Sequence, residues 1–380
     1  MFYPSRSILF LICLTIFFAS FVRAQEKQLS DLFKIKVDGK YGFIDRNGNV
    51  VIQPQFQGVY DFSDGLAKIY VGGKFDTAYI DETGKIVIKP QFDIGSNFSE
   101  GFAWIGFNKD KTEYKVGNLT LYNSGGSHSF NYDIGFIDKS GKFITKPIFS
   151  FAGDFSEGLA FVRTKENKFG FIDKTGKFAI EPKFDWADNF SEGLALVFVN
   201  GKYGFIDKTG KMIIKPQFTK AESFSEGLAC VKIGGRVRKP SFGDQIITTT
   251  NADTRYAYID KTGKVILRIK VGEAHSFSEG LARFELLGQY GYGFIDKTGK
   301  TVIKPQYGGQ SDFSGGLKLV ILDEGKIGFI DRTGKVILTP DFENLDDFIN
   351  GLAQICESYD SNAKCGYIDK TGKVIWQPTK

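Results

Sequence analysis

Nine aspartates recur along this chain of 380 residues in one local setting, each preceded by isoleucine and followed three residues later by glycine. Two kinds of chemistry use several carboxylates together: general acid–base cleavage of glycosidic bonds and calcium binding. The first question is whether these aspartates form such a site. They are Asp45, Asp81, Asp138, Asp173, Asp207, Asp260, Asp296, Asp331 and Asp369.

Their repetition favours a structural role. Catalytic carboxylates are usually unique and come from different elements. A calcium loop needs several oxygens at close spacing, whereas residues 207–211, Asp-Lys-Thr-Gly-Lys, offer one carboxylate beside two lysines. Asp at the first position and Gly at the fourth are typical of a type I turn closed by a glycine bulge, in which the carboxylate accepts backbone N–H bonds. We interpret all nine as structural turn residues.

No other grouping predicts catalysis or cofactor binding. Only two histidines are present, His128 and His275, and no His/Cys spacing resembles a zinc site. The glycine-rich pieces lack the strand–loop–helix context of a phosphate site. We therefore predict no catalytic residue, no metal and no cofactor.

A second motif, Phe-Ser-Glu-Gly-Leu-Ala or a variant, begins seventeen residues after the aspartate in every unit but the last. Proline lies nine residues after the aspartate in eight units, and Ile269 takes its place in the sixth. The distance from the motif phenylalanine to the next aspartate varies from 17 to 40 residues. The fixed segment must therefore be packed, and the variable one must lie in a solvent-facing loop.

Each unit of about 35 residues is predicted to contain three short antiparallel strands. In the fifth unit these are residues 194–199, 202–207 and 211–215, and Asn200-Gly201 joins the first two as a two-residue hairpin. Pro216 is expected to end the third strand because it has no N–H for the ladder. The arc that follows is expected to connect the units with at most one helical turn.

The middle strand indicates how the units pack. Residues 203–206 place aromatics on one face and Gly with Ile on the other, so both faces are apolar and should be buried. Glycine, replaced by Ala78 and Ala257 in two units, would leave room for a neighbour's aromatic ring.

Stacked sheets of this kind close into a ring or continue as an open solenoid. The first and last units keep the apolar pattern that an open stack would lose, which favours closure; the size of a nine-unit ring and the short repeat argue against it. We predict an all-β fold of nine tandem three-stranded antiparallel β-meander repeats, with a propeller-like ring favoured over an open β-solenoid.

The repeat resembles the WG-repeat, or KWG-repeat, family of bacterial proteins, in which [WYF]-G-[FY]-I-D-x-x-G-K-x-V-I-x-P-x-[FY] alternates with F-S-E-G-L-A. The resemblance covers about residues 32–378. It implies a tandem β-repeat, often exported, with no catalytic residues to carry over. Another aromatic residue replaces the tryptophan that names the family in five units, at Tyr41, Phe169, Tyr203, Tyr256 and Tyr292.

Residues 1–24 predict a secretory signal peptide, with Arg6 before an apolar stretch and Ala24 at its end. The stretch of roughly 14 apolar residues is shorter than the ~20 that a spanning helix needs. Lipoprotein anchoring through Cys13 is less favoured, since it would leave an unusually short apolar region. We expect residues 25–380 to be a single repeat array, exported to the periplasm or the cell exterior, without a transmembrane segment.

Charge argues against nucleic acid as the partner. Removal of the leader leaves 47 Lys and Arg against 44 Asp and Glu, a net charge of +3. A nearly neutral surface does not attract a phosphate backbone.

The cysteines of the last unit predict a disulfide. Alignment of the units places Cys356 where Phe198 stands and Cys365 where Tyr203 stands, which face each other as a non-hydrogen-bonded pair across the hairpin. The Cβ atoms of such a pair lie ~4.5–5.5 Å apart. An exported protein keeps such a bridge oxidised. Cys230 is left unpaired and is expected to be buried.

Two long insertions, at about residues 106–131 and 234–254, interrupt the hairpins of the third and sixth units, and the hairpin of the ninth is slightly long. In a closed ring of nine they would lie a third of a turn apart. Their aromatic and Arg side chains are typical of interface anchors; the alternative is solvated hairpins without a partner. The candidate binding edge consists of Tyr114, Tyr122, His128, Tyr132, Arg236, Arg238, Phe242 and Arg255.

Two hypotheses for function follow. The first is an exported, non-catalytic scaffold that binds an envelope protein or a glycan through the loop edge. The second is a polysaccharide hydrolase or lyase whose carboxylates converge at the ring centre. An enzyme should gather its non-consensus polar residues in one pocket, whereas here the departures from consensus concentrate in the insertions, which favours the scaffold. The sequence indicates neither the ligand nor the oligomeric state.

Overall fold

The computed structural model describes residues 31–71, 76–108, 113–116, 119–122, 132–234, 255–309, 312–322, 325–342, 344–358 and 363–379. The predicted signal peptide lies outside these residues, as do His128, Arg236, Arg238 and Phe242. The described residues contain no α-helix. Accordingly, none of their elements has the length and hydropathy of a bilayer-crossing helix.

The described residues form nine small antiparallel sheets, one per repeat unit, which we call blades 1 to 9, and one separate two-stranded hairpin. Blade 9 packs on blade 1, where Phe33, Ile35, Leu352 and Tyr367 share one apolar cluster. The Tyr367 hydroxyl also donates a hydrogen bond of 2.9 Å to the carbonyl of Lys34. The predicted all-β repeat array and its closed ring are thus confirmed, and the chain is a nine-bladed β-propeller.

The strands follow in chain order from blade to blade. Blades 1 to 3 contain β1 (Phe33–Val37), β2 (Lys40–Ile44), β3 (Val50–Phe56); β4 (Gly58–Val59), β5 (Leu66–Val71), β6 (Asp76–Asp81), β7 (Ile86–Phe92); and β8 (Ile94–Gly95), β9 (Phe102–Asn108), β12 (Tyr132–Asp138), β13 (Phe143–Phe149), with a separate hairpin of β10 (Glu113–Val116) and β11 (Leu119–Tyr122). Blades 4 to 6 contain β14 (Phe151–Ala152), β15 (Leu159–Arg163), β16 (Phe169–Asp173), β17 (Phe178–Phe184); β18 (Trp186–Ser191), β19 (Leu194–Val199), β20 (Lys202–Ile206), β21 (Met212–Phe218); and β22 (Lys220–Ala221), β23 (Ala229–Ile233), β24 (Arg255–Ile259), β25 (Val265–Ile269). Blades 7 to 9 contain β26 (Glu273–Ser278), β27 (Leu281–Glu285), β28 (Tyr292–Asp296), β29 (Thr301–Tyr307); β30 (Leu317–Ile321), β31 (Ile327–Asp331), β32 (Val336–Leu338); and β33 (Asn344–Leu345), β34 (Leu352–Cys356), β35 (Cys365–Asp369), β36 (Val374–Thr379).

The arc between units is a short inner strand, where we expected a connection with at most one helical turn. In blade 6, β22 pairs with β23 and so adds a fourth strand to the three that were predicted. The motif then makes a tight reversal, in which Ser225 and Leu228 exchange backbone hydrogen bonds of 2.9 and 3.1 Å. Glu226 and Gly227 at its centre have φ of 53° and 86°, as a type I′ turn requires.

Proline does not end the outer strand, contrary to expectation. Strand β21 continues through Pro216, and a register shift opposite β20 absorbs it as a bulge. The bulge also explains Gly204, where a Cβ would lie 2.6 Å from the carbonyl oxygen of Ile214 and 2.8 Å from the nitrogen of Pro216. The expected role of this glycine, making room for a neighbour's ring, is therefore wrong. It lets the bulge of its own sheet approach the backbone.

Neighbouring blades are joined by pairs of aromatic rings. The ring of Phe205, two residues before the turn aspartate, packs against the motif phenylalanine Phe224 of the next blade, with centroids 4.9 Å apart and planes at 62°. Both side chains are buried. Because the partners lie nineteen residues apart, this contact explains the invariant spacing of the motif. The same contact recurs in Phe43–Phe62, Tyr79–Phe98, Phe136–Phe155, Phe171–Phe190, Tyr258–Phe277, Phe294–Phe313 and Phe329–Phe348.

A ninth aromatic pair closes the ring. Tyr367 of blade 9 packs against Phe33 of blade 1, with centroids 5.5 Å apart. Phe33 stands at the strand position that Ala67 has in blade 2, since each faces the isoleucine that precedes a turn aspartate. Blade 1 thus supplies an aromatic ring from its own strand β1.

A repeated set of polar contacts between blades lies on one face of the ring, which we call the turn face because the motif turns and the aspartate turns lie there. The Ser191 hydroxyl donates to the carbonyl of Phe224 in the next blade, at 2.7 Å. Glu157 accepts the N–H of Gly193 at 3.0 Å and pairs with Lys208 at 3.1 Å, both in the next blade. The corresponding acidic residues that accept a glycine N–H across a blade boundary are Asp64, Glu100, Glu192, Glu226 and Glu279.

The nine repeated aspartates lie at the first position of their turns. The carboxylate of Asp207 accepts the Thr209 hydroxyl at 2.6 Å and the N–H groups of Thr209 and Lys211 at 2.9 and 3.1 Å. The N–H of Gly210 closes the turn on the Asp207 carbonyl at 2.9 Å. The Thr209 hydroxyl bond, assisted by these N–H groups, holds the pKa of Asp207 below its usual 3.8. The pKa is lowered at all nine aspartates.

Truncation of one interblade ring should cost more stability than its conversion to tyrosine. We expect Phe205→Ala to destabilise the protein by about 3–5 kcal/mol, the usual cost of removing a buried phenylalanine. Phe205→Tyr should remain within about 1.5 kcal/mol of wild type, since a new hydroxyl gains one hydrogen bond. Tyr79 and Tyr258, which occupy the position of Phe205 in blades 2 and 6, already make this hydrogen bond, each donating at 2.7 Å to a carbonyl of the next blade. Urea unfolding checks both variants; equal losses would contradict this account of the pair.

The aspartate turns should make the protein unstable in acid. A lowered folded-state pKa contributes stability that is present above the unfolded value of 3.8 and is lost as the pH falls through the folded value. We expect the melting temperature to drop steeply below about pH 4. Asp207→Asn keeps the acceptor oxygen but cannot titrate, so its melting temperature should fall less steeply with pH. An unchanged slope in this variant would argue against the linkage.

Candidate functional site

The predicted insertions all leave from the face opposite the turn face, which we call the hairpin face. They join β9 to β12 in blade 3, β23 to β24 in blade 6 and β34 to β35 in blade 9. Because the ring is closed, these blades lie a third of a turn apart. The first insertion contains the hairpin β10–β11, which pairs only with itself among the described strands.

The predicted edge residues fall on two blades. Tyr114 and Tyr122 lie in the strands of the β10–β11 hairpin, and Tyr132 opens β12 opposite Asn108. Arg255 opens β24 in blade 6. Tyr132 is half-buried at the base of the insertion. The other four predicted residues lie outside the described ones, so their placement stays a prediction.

A group of tyrosines, which the sequence did not single out, lies on the hairpin side of blade 2. The Tyr60 and Tyr70 hydroxyls are 3.1 Å apart, and Lys68 Nζ lies 3.7 Å from the Tyr60 ring centroid while donating at 2.8 Å to the carbonyl of Gly95. Burial and then the Tyr60 hydroxyl raise the pKa of Tyr70 to about 12; Tyr132 is close enough to contribute. Tyr60 is 39% exposed. Exposed aromatic faces beside a cation suit stacking on sugars or aromatic side chains.

A cavity of about 220 Å³ lies at the hub, where the inner strands converge. Its walls come from blades 9, 1, 2 and 3 and include Asp61, Asn97, Asp346 and Asp347. Such residues meet only because the ring closes, and the sequence analysis missed them. A signal was present, since the residue before each motif phenylalanine is always polar: Asp61, Asn97, Asp154, Asn189, Ser223, Ser276, Asp312 and Asp347.

The hub cavity combines carboxylates with one lysine and an apolar floor. Lys34 Nζ lies 3.4 Å from Asp61 Oδ1. Burial, followed by the charges of Asp61 and Asp346, raises the pKa of the Tyr367 phenol. Among the residues that the structure describes, no group of three or more His, Cys, Asp or Glu side chains is arranged to hold a metal ion.

Glu222, His275 and Ser276 meet at the boundary of blades 6 and 7, and their geometry is not that of a nucleophilic triad. Both the hydroxyl and the N–H of Ser276 donate to Glu222 Oε2, at 2.8 and 2.7 Å. His275 Nδ1 lies 3.1 Å from the other oxygen of Glu222. A nucleophile needs its hydroxyl directed at a base that a third group orients. Here the serine and the histidine each contact the carboxylate, which joins the two blades.

The cysteines of blade 9 lie directly opposite each other. Cys356 pairs with Cys365 across β34 and β35, with Cα atoms 4.1 Å apart, and the sulfurs form a disulfide. Phe198 and Tyr203 hold the same relation in blade 5. Cys230 is a free, buried cysteine, and burial raises the pKa of its thiol.

A comparison with known protein families confirms the predicted repeat. A family profile described as "WG containing repeat" matches residues 41–75, 78–109, 134–169, 169–203, 203–236, 256–290, 292–325 and 327–358, more than half of the chain. No curated protein matches the chain.

Two solved structures illustrate the likeness of fold. BamB from Moraxella catarrhalis is 12% identical with a TM-score of 0.40, over 74% of this chain and 87% of that chain. AztD from Citrobacter koseri is 11% identical with a TM-score of 0.39, over 92% of this chain and 94% of that chain. At these values neither likeness carries a functional argument.

The disulfide predicts a redox-dependent stability. Intact-mass analysis of exported protein should find Cys356 and Cys365 two hydrogens lighter than the dithiol, with Cys230 as a free thiol. A disulfide that closes a short loop contributes about 2–4 kcal/mol, so reductant should lower the melting temperature of wild type but not that of Cys356→Ser/Cys365→Ser. Two free thiols in the exported protein would overturn this assignment.

Proposed function

This chain belongs to the family of proteins with WG-containing repeats, and from that premise we propose that it is an exported, non-catalytic scaffold that binds a protein or glycan of the cell envelope through its hairpin face. The observation that carries the proposal is the contrast between the two faces. On the turn face, repeated Ser, Glu and Lys side chains are engaged in contacts between blades. On the hairpin face, loop length varies, and three blades a third of a turn apart carry the long hairpins.

Support for a binding role comes from the side chains near that face. The Tyr60 hydroxyl contacts that of Tyr70, Tyr132 lies at the base of the first insertion, and the β10–β11 hairpin adds two further tyrosine positions, Tyr114 and Tyr122. Tyrosine gives a large contact area at low entropic cost and is common at binding hot spots. A closed ring with tyrosines at and beside its hairpins suits a protein surface or a sugar chain.

Export is the second part of the proposal. It rests on the leader-like residues 1–24 and on the opposed cysteines of blade 9, a pair that persists as a disulfide in an oxidising compartment. The periplasm and the cell exterior both meet this condition.

The second candidate function, cleavage of a polysaccharide at the ring centre, is favoured by one observation. The hub cavity brings Asp61, Asp346 and Asp347 together from blades 2 and 9, as carboxylates at a ring centre would require. Against it, Asp61 pairs with Lys34, and Asp347 accepts the backbone N–H of Leu319 at 3.3 Å. Both carboxylates thus have structural partners, and we favour the non-catalytic scaffold.

The test compares binding by wild type with that of a loop-shortened variant. Residues 109–131 and 234–254 are each replaced by Asn-Gly, the connection that blade 5 uses between the directly paired Val199 and Lys202. Asn108 then faces Tyr132, and Ile233 faces Arg255, across a two-residue hairpin. Glycan arrays and pull-down from envelope fractions should show binding by wild type and at least tenfold weaker binding by the variant, about 1.4 kcal/mol.

The matched control alters the opposite face. Lys208→Gln/Lys261→Gln removes two lysines of the turn face and leaves every hairpin intact, so its binding should equal that of wild type. Equal binding by the loop-shortened variant would contradict the proposal. So would the release of reducing ends from a bound glycan, if Asp61→Asn abolished it.

A further inference from the structure

The outer strand at the boundary between blades 6 and 7 has only one register shift, whereas that of blade 5 has two. In blade 6, Tyr256 faces Ile269 and Ala257 faces Arg268, without the shift that the proline imposes elsewhere. In blade 5, by contrast, the equivalent Tyr203 faces Phe218. Ile269 therefore takes the place that a buried aromatic residue has in blade 5.

The residues released by the missing bulge lengthen the connection to the next blade. Strand β25 ends at Ile269 and β26 begins at Glu273, so three residues join them, whereas one residue joins β21 to β22. The added length places Lys270 in solvent and Val271 half-buried at the boundary. Both features follow from a single sequence change, which is isoleucine in place of proline at position 269.

The blade 7 side of this boundary also carries a small side chain. Five residues after the turn aspartate, blades 3 and 4 carry phenylalanines that pack on the previous blade, with Phe143 6.4 Å from Phe92 and Phe178 6.1 Å from Phe149. The remaining blades carry Val, Ile or Met here, except blade 7, which has the smaller and polar Thr301. With aliphatic Ile269 on one wall and a small polar residue on the other, the boundary lacks both rings.

These substitutions leave a groove of about 560 Å³. Its walls are mainly apolar and include Phe284, Leu286 and Ile295, while Lys270 and Lys304 stand exposed beside it. Leu287 and Tyr290, in the adjoining hairpin of blade 7, are 50% and 77% exposed and extend the apolar surface. The volume lies within the ~300–1,000 Å³ of small-molecule sites.

We propose that this groove binds a small aromatic molecule that carries one carboxylate or sulfonate. The flat apolar body fills the space beside Ile269 and Thr301, and the anionic group pairs with Lys270 and Lys304. Lys270 stands where the fifth and seventh units have Gln217 and Gln306 and the fourth has Lys183, so blades 4 and 6 carry a positive charge at this position. The site is separate from the proposed scaffold function and does not depend on it.

The test uses 2-naphthoate as the probe, with neutral 2-naphthalenemethanol beside it, titrated into the mature protein by calorimetry and fluorescence. Thr301→Phe restores the ring of blades 3 and 4 and should weaken naphthoate binding at least tenfold without lowering the melting temperature. Lys270→Gln should weaken naphthoate several-fold and leave the neutral probe unchanged. Ile269→Phe fills the groove from the other wall and should repeat the effect of Thr301→Phe.

The matched control places a phenylalanine at the same strand position of the next blade. Val336→Phe faces the boundary of blades 7 and 8, where Tyr307 already stands, and should bind naphthoate as wild type does. The proposal is overturned if wild type does not bind the probe at millimolar concentration, if folded Thr301→Phe and Ile269→Phe bind it as wild type does, or if Val336→Phe loses it equally.

Discussion

An edge-on contact between two aromatic rings in neighbouring blades is the interaction on which the rest of this structure depends. One ring stands two residues before a turn aspartate, and the other begins the motif nineteen residues later. Each partner is buried, so neither can be lost without a cavity. A single sheet of three or four strands cannot bury its two apolar faces by itself. The contact therefore converts nine marginal sheets into one ring.

The fixed spacing of this contact also explains why the two faces of the molecule differ. Residues between the paired rings are fixed in number and include the aspartate turn, whose hydrogen bonds are local. The Ser and Glu residues that follow the second ring make the hydrogen bonds that join blades. Residues outside that interval are free to vary, which is why the insertions and the long hairpin of blade 9 share one face. Blade 6 differs from the other blades within this interval, although the number of residues in the interval is unchanged. Ile269 stands in place of proline, the register shift at that position is lost, and the released residues lengthen the connection from β25 to β26. An opening beside that connection is the expected result.

Much of the fold was predictable because its signals are local and repeated. The alternation of residues 194–199 and the Asn-Gly turn predict a hairpin that the structure has in the same register, and the alignment of units places Cys356 opposite Cys365. The inner strand was not predictable, because its two-residue ladders, such as Lys220–Ala221, carry no periodicity. Nor was the hub cavity, since Asp61 and Asp346 lie far apart in sequence and meet only through closure. The insertion side chains depend on contacts that no repeat specifies.

The most direct test of this account is a double-mutant cycle at the ring-closing pair, Phe33 and Tyr367, measured by urea unfolding. These residues are near opposite ends of the chain, and only a closed ring places their ring centroids 5.5 Å apart. We expect Phe33→Leu and Tyr367→Leu to be coupled by about 0.5–1.5 kcal/mol, as contacting aromatic pairs are. Additive losses in the double variant would mean that the two blades do not touch, and would contradict the closed propeller.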